Sequence, residues 1–349
     1  MLSTADLTGF RFVRDLLEQP QALSDTLDYL ETVEFPDNLP GQLSRGRFRR
    51  VVLTGMGASY HALVPLYLRL AAHGFAPLLV ETSELVHYLP AAVVPDNLVI
   101  AVSQSGRSAE MVRLLELAGG NVPVLAVTNT PSSPLAASAR YLVELRAGTE
   151  AAVSSKTYIA SLAALEWLGA RLTDSSVDRA LHSLRSACDP MRAYLAHWTS
   201  HVEWLAAFAE GMDRLFLVGR GRSLSSAGEG GLILKEAARF HAEGMSSAAF
   251  RHGPLEIAGP GVAVCVFAGE PPTVHLNRRL ADDLLRCGSK AAWIGGDADS
   301  GALRIAAPDS ATLPLLEILP VQMLALALAS RTGHEPGVFR HIAKVTDTE

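Results

Sequence analysis

Apolar residues along the chain alternate between short continuous runs and longer segments with helical spacing. Strand-like runs occur at residues 50–54, 78–81, 98–103 and 122–128, and a loop or an apolar helical pattern follows each one. Continuous Val, Ile, Leu and Ala strands that alternate with helices are typical of a parallel sheet covered on both faces. The pattern therefore predicts an α/β fold.

The same pattern recurs in the second half of the chain. The apolar run at residues 215–218 leads into Gly219-x-Gly221-x-Ser223, which repeats the Gly55-x-Gly57-x-Ser59 turn after the first strand. At the same offset, the strand at 99–102 falls on a second apolar run at 263–266. Two matched features at one spacing predict a duplicated α/β domain.

The length of 349 residues also suggests two domains. A helical segment from Ser175 to Ala207 separates the two copies and is interpreted as a connector, with the boundary near Met191. Residues 1–190 are predicted to hold an N-terminal helical segment and the first copy. Residues 191–349 are predicted to hold the second copy.

Composition describes an ordinary globular protein and excludes several classes of partner. The chain is 49% apolar and 19% charged, with a net charge of −6 and no clustered basic run, so no nucleic-acid partner is expected. The three cysteines are unpatterned, so neither a disulfide framework nor a zinc site is predicted, and no cofactor is expected. An anionic ligand is still compatible, because a local pocket can be positive on an acidic protein.

No segment is predicted to place the chain in a membrane. The N-terminus lacks a basic region followed by an apolar stretch, so no signal peptide is predicted. The most apolar late segment, residues 313–330, contains two prolines, a glutamate and a glutamine. It is interpreted as a buried helix that falls short of a membrane span. These features predict a cytoplasmic protein.

The two glycine turns could each bind an anion. Free amides and the dipole of the following helix point out of such a turn, although a tight turn that lets strand and helix pack explains most glycines of this kind. Tyr60 stands where the dinucleotide-binding pattern Gly-x-Gly-x-x-Gly needs its third glycine, so nicotinamide binding is disfavoured.

A polar cluster, Ser103-Gln104-Ser105-Gly106-Arg107-Ser108, directly follows a buried strand. Ligands bind outside the carboxyl ends of parallel strands, and three hydroxyls, an amide and an exposed turn can donate many hydrogen bonds to a phosphate. Ser105 or Ser108 could instead cap the next helix, and both roles can hold together. Residues 267–270, at the equivalent place in the second copy, lack the cluster, so one phosphate site per chain is predicted.

Three motifs in the second half of the chain and its C-terminal tail carry a family resemblance. They are Glu-Gly-Gly-Leu-Ile-Leu-Lys-Glu at 229–236, His-Ala-Glu at 241–243, Arg-His-Gly-Pro-Leu at 251–255, and the tail from 336 to 349 with Arg340 and Ala343-Lys344. This stretch resembles the isomerase half of glucosamine-6-phosphate synthase, which belongs to the sugar-isomerase (SIS) family. The resemblance implies two tandem SIS domains, each a parallel sheet flanked by helices in a flavodoxin-like three-layer sandwich.

The resemblance also implies roles for individual residues. Phosphate is expected on Ser59, Ser103, Gln104, Ser105 and Ser108, and the sugar is expected against Gly57, Ala58, Val153 and Ser155. Glu236 corresponds to the base that moves a proton between C1 and C2 of the sugar. His252 corresponds to a ring-opening histidine supplied by the neighbouring subunit, and Lys344 to a lysine that closes over the open-chain sugar.

These residue types suit the reaction. Aldose–ketose isomerisation needs a base, a group that protonates the ring oxygen, and a cation near the developing enediolate charge. A carboxylate, an imidazole and an ammonium can fill those roles. The expected partners are therefore a small sugar phosphate and a second copy of the chain, in a homodimer with composite active sites.

Two departures from the family pattern narrow the expected reaction. No glutaminase domain and no N-terminal cysteine nucleophile precede the motifs, so no glutamine amidotransferase activity is expected. Ile233 replaces a lysine three residues before the expected base. The prediction is a phosphosugar isomerase acting on an amino-sugar 6-phosphate with release of ammonia. A deglycase of a fructosamine-type 6-phosphate and a non-catalytic sugar-phosphate sensor are the alternatives, and joint retention of the three candidate catalytic residues favours an enzyme.

Overall fold

A computed structural model describes residues 3–35, 38–151, 153–346 and 348. Residues 152, 347 and 349, which belong to the predicted sugar-binding stretch and to the predicted tail, lie outside the described residues. The strands are β1 (Arg50–Gly55), β2 (Leu78–Glu81), β3 (Asn97–Val102), β4 (Val124–Thr128), β5 (Tyr141–Glu144), β6 (Arg214–Gly219), β7 (Ala242–Ser246), β8 (Val262–Phe267) and β9 (Lys290–Ile294). The helices are α1 (Thr4–Leu7), α2 (Arg11–Leu17), α3 (Gln19–Leu30), α4 (Leu39–Ser44), α5 (Ala58–Ala62), α6 (Val64–Ala72), α7 (Thr82–Tyr88), α8 (Ala109–Ala118), α9 (Pro134–Ser138), α10 (Lys156–Leu172), α11 (Val177–Ser186), α12 (Cys188–Leu195), α13 (Trp198–Phe208), α14 (Ser223–Ala238), α15 (Ser247–Arg251), α16 (Val274–Arg286) and α17 (Leu313–Thr332), with short 3-10 turns at Pro90–Ala92 and Pro254–Ile257.

The chain divides into two compact units, each with its own sheet. The first-sheet unit comprises Gln21–Glu150, Ser155–Arg185 and His341–Glu349. The second-sheet unit comprises Met1–Pro20, Ala151–Ser154 and Ser186–Arg340. The sequence predicts a single boundary near Met191. In the structure, however, the N-terminal segment and Ala151–Ser154 belong to the second-sheet unit, and the C-terminal segment belongs to the first-sheet unit.

The first sheet has five parallel strands in the order β2-β1-β3-β4-β5. Its central strands consist of continuous buried residues, such as Leu53 on β1 beside Ile100 on β3, because helices cover both faces. The strand order changes direction between β1 and β3, and that is where an open parallel sheet forms a ligand crevice at its carboxyl edge. The glycine turn after β1 and the serine cluster after β3 both lie at this edge.

The second sheet has four parallel strands in the order β7-β6-β8-β9, the same order as the first four strands of the first sheet. Its second glycine turn follows β6, and residues 267–270 follow β8. The α/β prediction with parallel sheets is confirmed.

Helix α17 is the most apolar segment of the chain. By length and composition alone it could cross a membrane, contrary to the expectation from sequence, but 94% of its apolar window is buried inside the protein. The helix runs through Pro320, and its buried Gln322 exchanges hydrogen bonds of 2.8 and 2.9 Å with the buried Gln19 amide. The prediction of a buried core helix is confirmed.

Candidate functional site

The turn after β1 brings the Ser59 side chain beside the end of β3. Gly55 has no room for a side chain, because a Cβ there would lie 3.0 Å from the Val102 carbonyl oxygen and 3.1 Å from Ser59 Cβ. Gly57 has φ +52 and directly precedes the first residue of α5. This sharp turn places Ser59 in the first turn of that helix. A glycine at each of these positions permits this close approach.

The loop after β3 is held in one conformation by its own hydroxyls and by the end of β4. Gly106 N donates to Ser103 Oγ at 3.1 Å, and Arg107 N donates to Ser105 Oγ at 3.4 Å. The Gln104 carbonyl oxygen accepts from Asn129 N, Thr128 Oγ1 and Thr130 Oγ1 at 3.1–3.2 Å. A preorganised polar loop of this kind can bind an anion without further ordering.

Gly106 explains why the loop can lie so close to its neighbour. Its φ is +61, and a Cβ at this position would lie 2.3 Å from Ser133 Oγ, so a side chain would have to displace the start of α9. The loop therefore packs against α9 through bare backbone.

The hydroxyls of Ser59 and Ser108 are the least committed of the cluster. Ser108 is the N-cap residue of α8, yet its side chain makes no capping hydrogen bond, and Ser105 Oγ bonds within its own loop. Neither serine therefore caps α8, contrary to that alternative. Within the described ranges no hydrogen bond from either Ser59 or Ser108 Oγ is recorded, and both residues are half-buried. These two hydroxyls are placed to bind a ligand.

The C-terminal tail lies along the start of α8. Thr346 accepts a hydrogen bond through its carbonyl oxygen from Ala109 N at 3.0 Å, and Lys344 Nζ donates to the carbonyl oxygen of Glu150. Lys344 and the serine cluster consequently belong to the same compact unit, although they are far apart in sequence.

Glu150 organises the loop that accepts Lys344, and sequence reasoning gave it no role. Its buried carboxylate accepts from Ser155 N at 2.8 Å, from Thr157 N at 3.1 Å and from Thr157 Oγ1 at 2.6 Å, at the first turn of α10. The signal was an acidic residue shortly before a Ser-Lys-Thr helix start, where free amides and the helix dipole stabilise a carboxylate.

Two expected sugar contacts, Ser155 and Val153, are buried. The Ser155 hydroxyl is fully buried and lies 3.2 Å from Glu150 Oε1, so it stabilises the start of α10. Val153 is also buried and belongs to the second-sheet unit, whereas Gly57 and Ala58 belong to the first-sheet unit. The structure therefore groups Gly57 and Ala58, but not Val153, with the serine cluster.

Glu236 and His252 both lie in the second-sheet unit. Glu236 is half-buried in the last turn of α14. His252 is exposed and ends α15, and the next residue, Gly253, has φ +138. The preceding Arg251 is fixed by Asp283 at 2.6 Å, which anchors the loop that presents the imidazole.

Position 233 holds a fully buried isoleucine, so it supplies no cation where the family pattern has a lysine. The neighbouring Lys235 is exposed and donates to the Ala242 carbonyl oxygen at 3.2 Å. Lys344, the cation expected from the sequence, belongs to the other compact unit.

The second glycine turn carries an internal carboxylate where a phosphate would bind. Arg222 N donates to Glu270 Oε2 at 3.3 Å, and Arg222 Nε lies 3.8 Å from Glu270 Oε1. Beneath them Ser223 Oγ donates to Glu317 at 3.0 Å, and burial raises the pKa of Glu317 to about 7. The Glu270 carboxylate therefore disfavours an anion at this turn.

Among the residues that the structure describes, no group of three or more His, Cys, Asp or Glu side chains could hold a metal ion. Cys265 and Cys287 are free thiols, and burial raises the pKa of Cys265 to about 12. The polar groups on hand are thus hydroxyls, amides, carboxylates, an imidazole and an ammonium.

Comparison with known proteins finds a family match in the first half of the chain. Residues 47–171 match the SIS domain family. The chain is 28% identical over 369 aligned residues to glutamine–fructose-6-phosphate aminotransferase (isomerizing) of Thermococcus kodakarensis, and this alignment covers 100% of the chain and 60% of that relative. The chain thus spans about 60% of the length of that curated relative.

Two solved structures share the fold over nearly the whole chain. The C-terminal domain of glucosamine-fructose-6-phosphate aminotransferase from Francisella tularensis superposes with a TM-score of 0.80 at 21% identity, covering 94% of this chain and 98% of that one. Glucosamine-6-phosphate deaminase from Thermotoga maritima superposes with a TM-score of 0.73 at 16% identity, covering 97% and 100%.

Residues 47–171, which hold the first sheet and its strand-end serine loop, thus match the SIS domain. Over its whole length the chain is similar to the isomerase half of the glutamine–fructose-6-phosphate aminotransferases.

Proposed function

We propose that the protein is an enzyme that isomerises an amino-sugar 6-phosphate and releases ammonia from it. The observation that carries the proposal is the preorganised serine loop after β3, with the half-buried Ser59 and Ser108 hydroxyls at the same sheet edge and Lys344 in the same unit. The similarity to an isomerizing aminotransferase and the fold shared with a glucosamine-6-phosphate deaminase support it.

Phosphate binding is assigned to Ser59, Ser103, Gln104, Ser105 and Ser108. The phosphate would accept hydrogen bonds from their side chains and from the loop amides. Hydrogen bonds to a charged group are stronger than neutral ones, so a handful of them can hold a phosphate firmly.

Each candidate catalytic residue has one role in the proposed reaction. His252 protonates the ring oxygen, which opens the ring to the aldehyde. Glu236 takes the proton from C2 and returns it to C1, while Lys344 stabilises the charge that develops on the C1 oxygen. A proton also passes from the C2 amine to the C1 oxygen, so the product carries a hydroxyl at C1 and an imine at C2. Water then adds to that carbon, the C–N bond breaks, and ammonia and the 2-ketose 6-phosphate leave.

We further propose that the second-sheet unit is a second, diverged SIS domain. Its strand order and its glycine turn support the proposal, and Glu270 at that turn accounts for the missing phosphate site. The 349-residue chain is proposed to act without hydrolysing glutamine, in the cytoplasm.

Glucosamine 6-phosphate tests the reaction directly. Wild-type protein should release ammonia and form fructose 6-phosphate in equal amounts, measured by two coupled dehydrogenase assays. Glu236→Gln keeps the shape of the side chain but removes the base, so turnover should fall by about 10²–10⁴ while binding is largely retained. Exchange of the C2 hydrogen with deuterated solvent should stop as well.

Glu210→Gln is the matched control, since this exposed carboxylate lies in the same unit and should leave turnover unchanged. Binding without ammonia release would reject the deaminase. In that case, release of an amine from a fructosamine-type 6-phosphate would favour the deglycase, and binding without any turnover would favour a sensor.

A further inference from the structure

Asp15 on α2 is a buried carboxylate to which the proposed reaction assigns no role. The residue is 5% exposed, and its Oδ2 accepts a hydrogen bond from Ala151 N at 2.8 Å. A carboxylate is costly to bury unless it is hydrogen-bonded, and a bond from a backbone amide to a charged oxygen is stronger than a neutral one. Asp15 therefore fixes the direction of the Ala151 N–H group.

The peptide group that bonds to Asp15 also holds Lys344. The Ala151 N–H and the Glu150 carbonyl belong to one planar trans peptide group, and Lys344 Nζ donates to the Glu150 carbonyl oxygen. In a trans peptide group the N–H and the C=O point in opposite directions, so fixing one fixes the other. Each of the two hydrogen bonds lies within one compact unit, and the covalent bond between residues 150 and 151 joins them.

The Glu150 side chain attaches the other flank of this peptide group. Its carboxylate accepts from Ser155 N at 2.8 Å and from Thr157 N at 3.1 Å, so Glu150 cannot rotate without breaking both bonds. The peptide group is thus held through the Glu150 side chain on one side and through Asp15 on the other. This double attachment sets the direction of the carbonyl oxygen, which is toward Lys344.

The charge of Asp15 adds to this geometric effect. Hydrogen bonds in a chain polarise one another, so a carboxylate on the N–H makes the carbonyl oxygen of the same peptide group a stronger acceptor. A stronger acceptor favours the charged ammonium over the neutral amine. An ammonium group has three N–H donors, so Lys344 can donate to this carbonyl and to a substrate oxygen at the same time.

We propose that Asp15 is a positioning residue that acts through the Glu150–Ala151 peptide group to keep the Lys344 ammonium charged and in place. The inference rests on the proposed function for the role of Lys344, which is to stabilise the charge that develops on the C1 oxygen. Sequence reasoning gave Asp15 no role, because its bond to residue 151 depends on the fold.

Lysine acylation measures the hold on Lys344 without any assumption about the substrate. The chain has four lysines, and each donates to a backbone carbonyl oxygen. Lys156, Lys235 and Lys290 therefore serve as internal references. Only the neutral amine reacts with acetic anhydride, so Asp15→Asn, which keeps the shape and removes the charge, should raise the acylation rate of Lys344 by about threefold or more. Peptide mass spectrometry with an isotope-coded reagent should show unchanged rates at Lys235 and Lys290.

The kinetics of ammonia release supply the second readout. Asp15→Asn should lower kcat by about tenfold and leave the KM for glucosamine 6-phosphate within about twofold, because the phosphate-binding residues are untouched. Asp309→Asn is the matched control, since the Asp309 carboxylate also accepts from backbone amides, those of Ala311 and Thr312 at 2.9 and 3.1 Å. It should change neither kcat nor the acylation of Lys344. If Asp15→Asn does not fold, Asp15→Ser, which is smaller and uncharged, takes its place.

The two readouts separate this inference from the proposed function. If the wild type releases no ammonia but Lys344 acylation still rises in Asp15→Asn, the deaminase is rejected and the link from Asp15 to Lys344 stands. The inference is overturned if Lys344 acylation is unchanged in Asp15→Asn, or if it rises equally at all four lysines. It is also overturned if the wild type is active and the variant keeps the wild-type kcat.

Discussion

Among single residues, Ser59 and Ser108 allow the clearest test of the phosphate site. Ser103 and Ser105 accept backbone hydrogen bonds within their loop, so replacing them would also loosen the turn. Ser59→Ala with Ser108→Ala removes two hydroxyls that have no recorded bond in the described residues. Affinity for a sugar phosphate should fall by about tenfold or more for each hydroxyl, with unfolding unchanged.

Isothermal titration and thermal unfolding measure these two quantities. Ser44→Ala, an exposed serine in the same unit, is the control and should change neither. Full affinity in the double variant would mean that the phosphate binds elsewhere.

The raised pKa of Glu317 predicts how the free energy of unfolding depends on pH. Burial raises its pKa from 4.5 to about 7, although the hydrogen bond from Ser223 opposes this. Between these two pH values the unfolded chain has lost the proton and the folded chain keeps it, so stability falls as pH rises through this window. The penalty is absent below pH 4.5 and reaches about 3 kcal/mol above pH 7.

Glu317→Gln removes this titration while keeping the shape of the side chain. Urea unfolding should show the variant close to wild type at pH 4.5 and more stable by up to about 3 kcal/mol at pH 8. The exposed Glu256→Gln should not change the pH dependence. A constant difference between variant and wild type across this range would refute the raised pKa.

The sequence indicated the polar residues at the sheet edge better than the residues that support them. Ser103 to Ser108 stand together after an apolar strand, so their position at the sheet edge could be predicted. Glu150 and Glu270 could not, because each acts through backbone amides brought to it by the fold. For the same reason the sequence could not show that the Ser155 hydroxyl is turned toward Glu150.

At the scale of elements, the start of α10 depends on Glu150. Its carboxylate accepts from two backbone amides of the first turn and from the Thr157 hydroxyl. Glu150→Ala would leave those amides buried without a partner, so the free energy of unfolding should fall by about 2–3 kcal/mol. The exposed Glu116→Ala on α8 should cost much less. Equal losses in urea unfolding would contradict the capping role.

Strands whose residues are continuous and apolar were predicted to within two residues, as with β1, β3 and β4. Of the four edge strands β2, β5, β7 and β9, only β2 was predicted. Strand β7 reads Ala-Glu-Gly-Met-Ser, a composition with low strand preference, and it forms because β6 offers a parallel partner. Pairing between distant segments, which local pattern does not encode, decides such an element.

At the scale of the whole molecule, the sequence predicted two α/β units but not how the chain ends are shared between them. Residues 1–20 join the second-sheet unit, and residues from 341 onward join the first-sheet unit. Local pattern assigns each segment to its neighbours in sequence, so it cannot reveal such an exchange. The consequence for function is that Lys344 belongs with the phosphate loops while Glu236 and His252 belong with the other sheet.

The last prediction concerns two copies of the molecule. We propose an active homodimer in which His252 serves the site of its partner. His252 is exposed, follows Arg251, which Asp283 holds, and precedes Gly253, whose φ is +138. Glu236→Gln and His252→Ala homodimers should each be nearly inactive. A mixed dimer has one site with both residues intact and one with neither, provided that the dimer is closed and two-fold symmetric.

Random mixing makes half of the dimers mixed, and half of the sites in those dimers are intact, so about a quarter of wild-type activity should return if the sites are independent. Native mass spectrometry confirms that the subunits have exchanged, and the ammonia assay measures the recovery. The control is a mixture of Glu236→Gln with the double variant Glu236→Gln/His252→Ala, which lacks the base in every chain and should stay inactive. If exchange is complete and the first mixture stays inactive as well, His252 acts within its own chain, and the composite site is wrong.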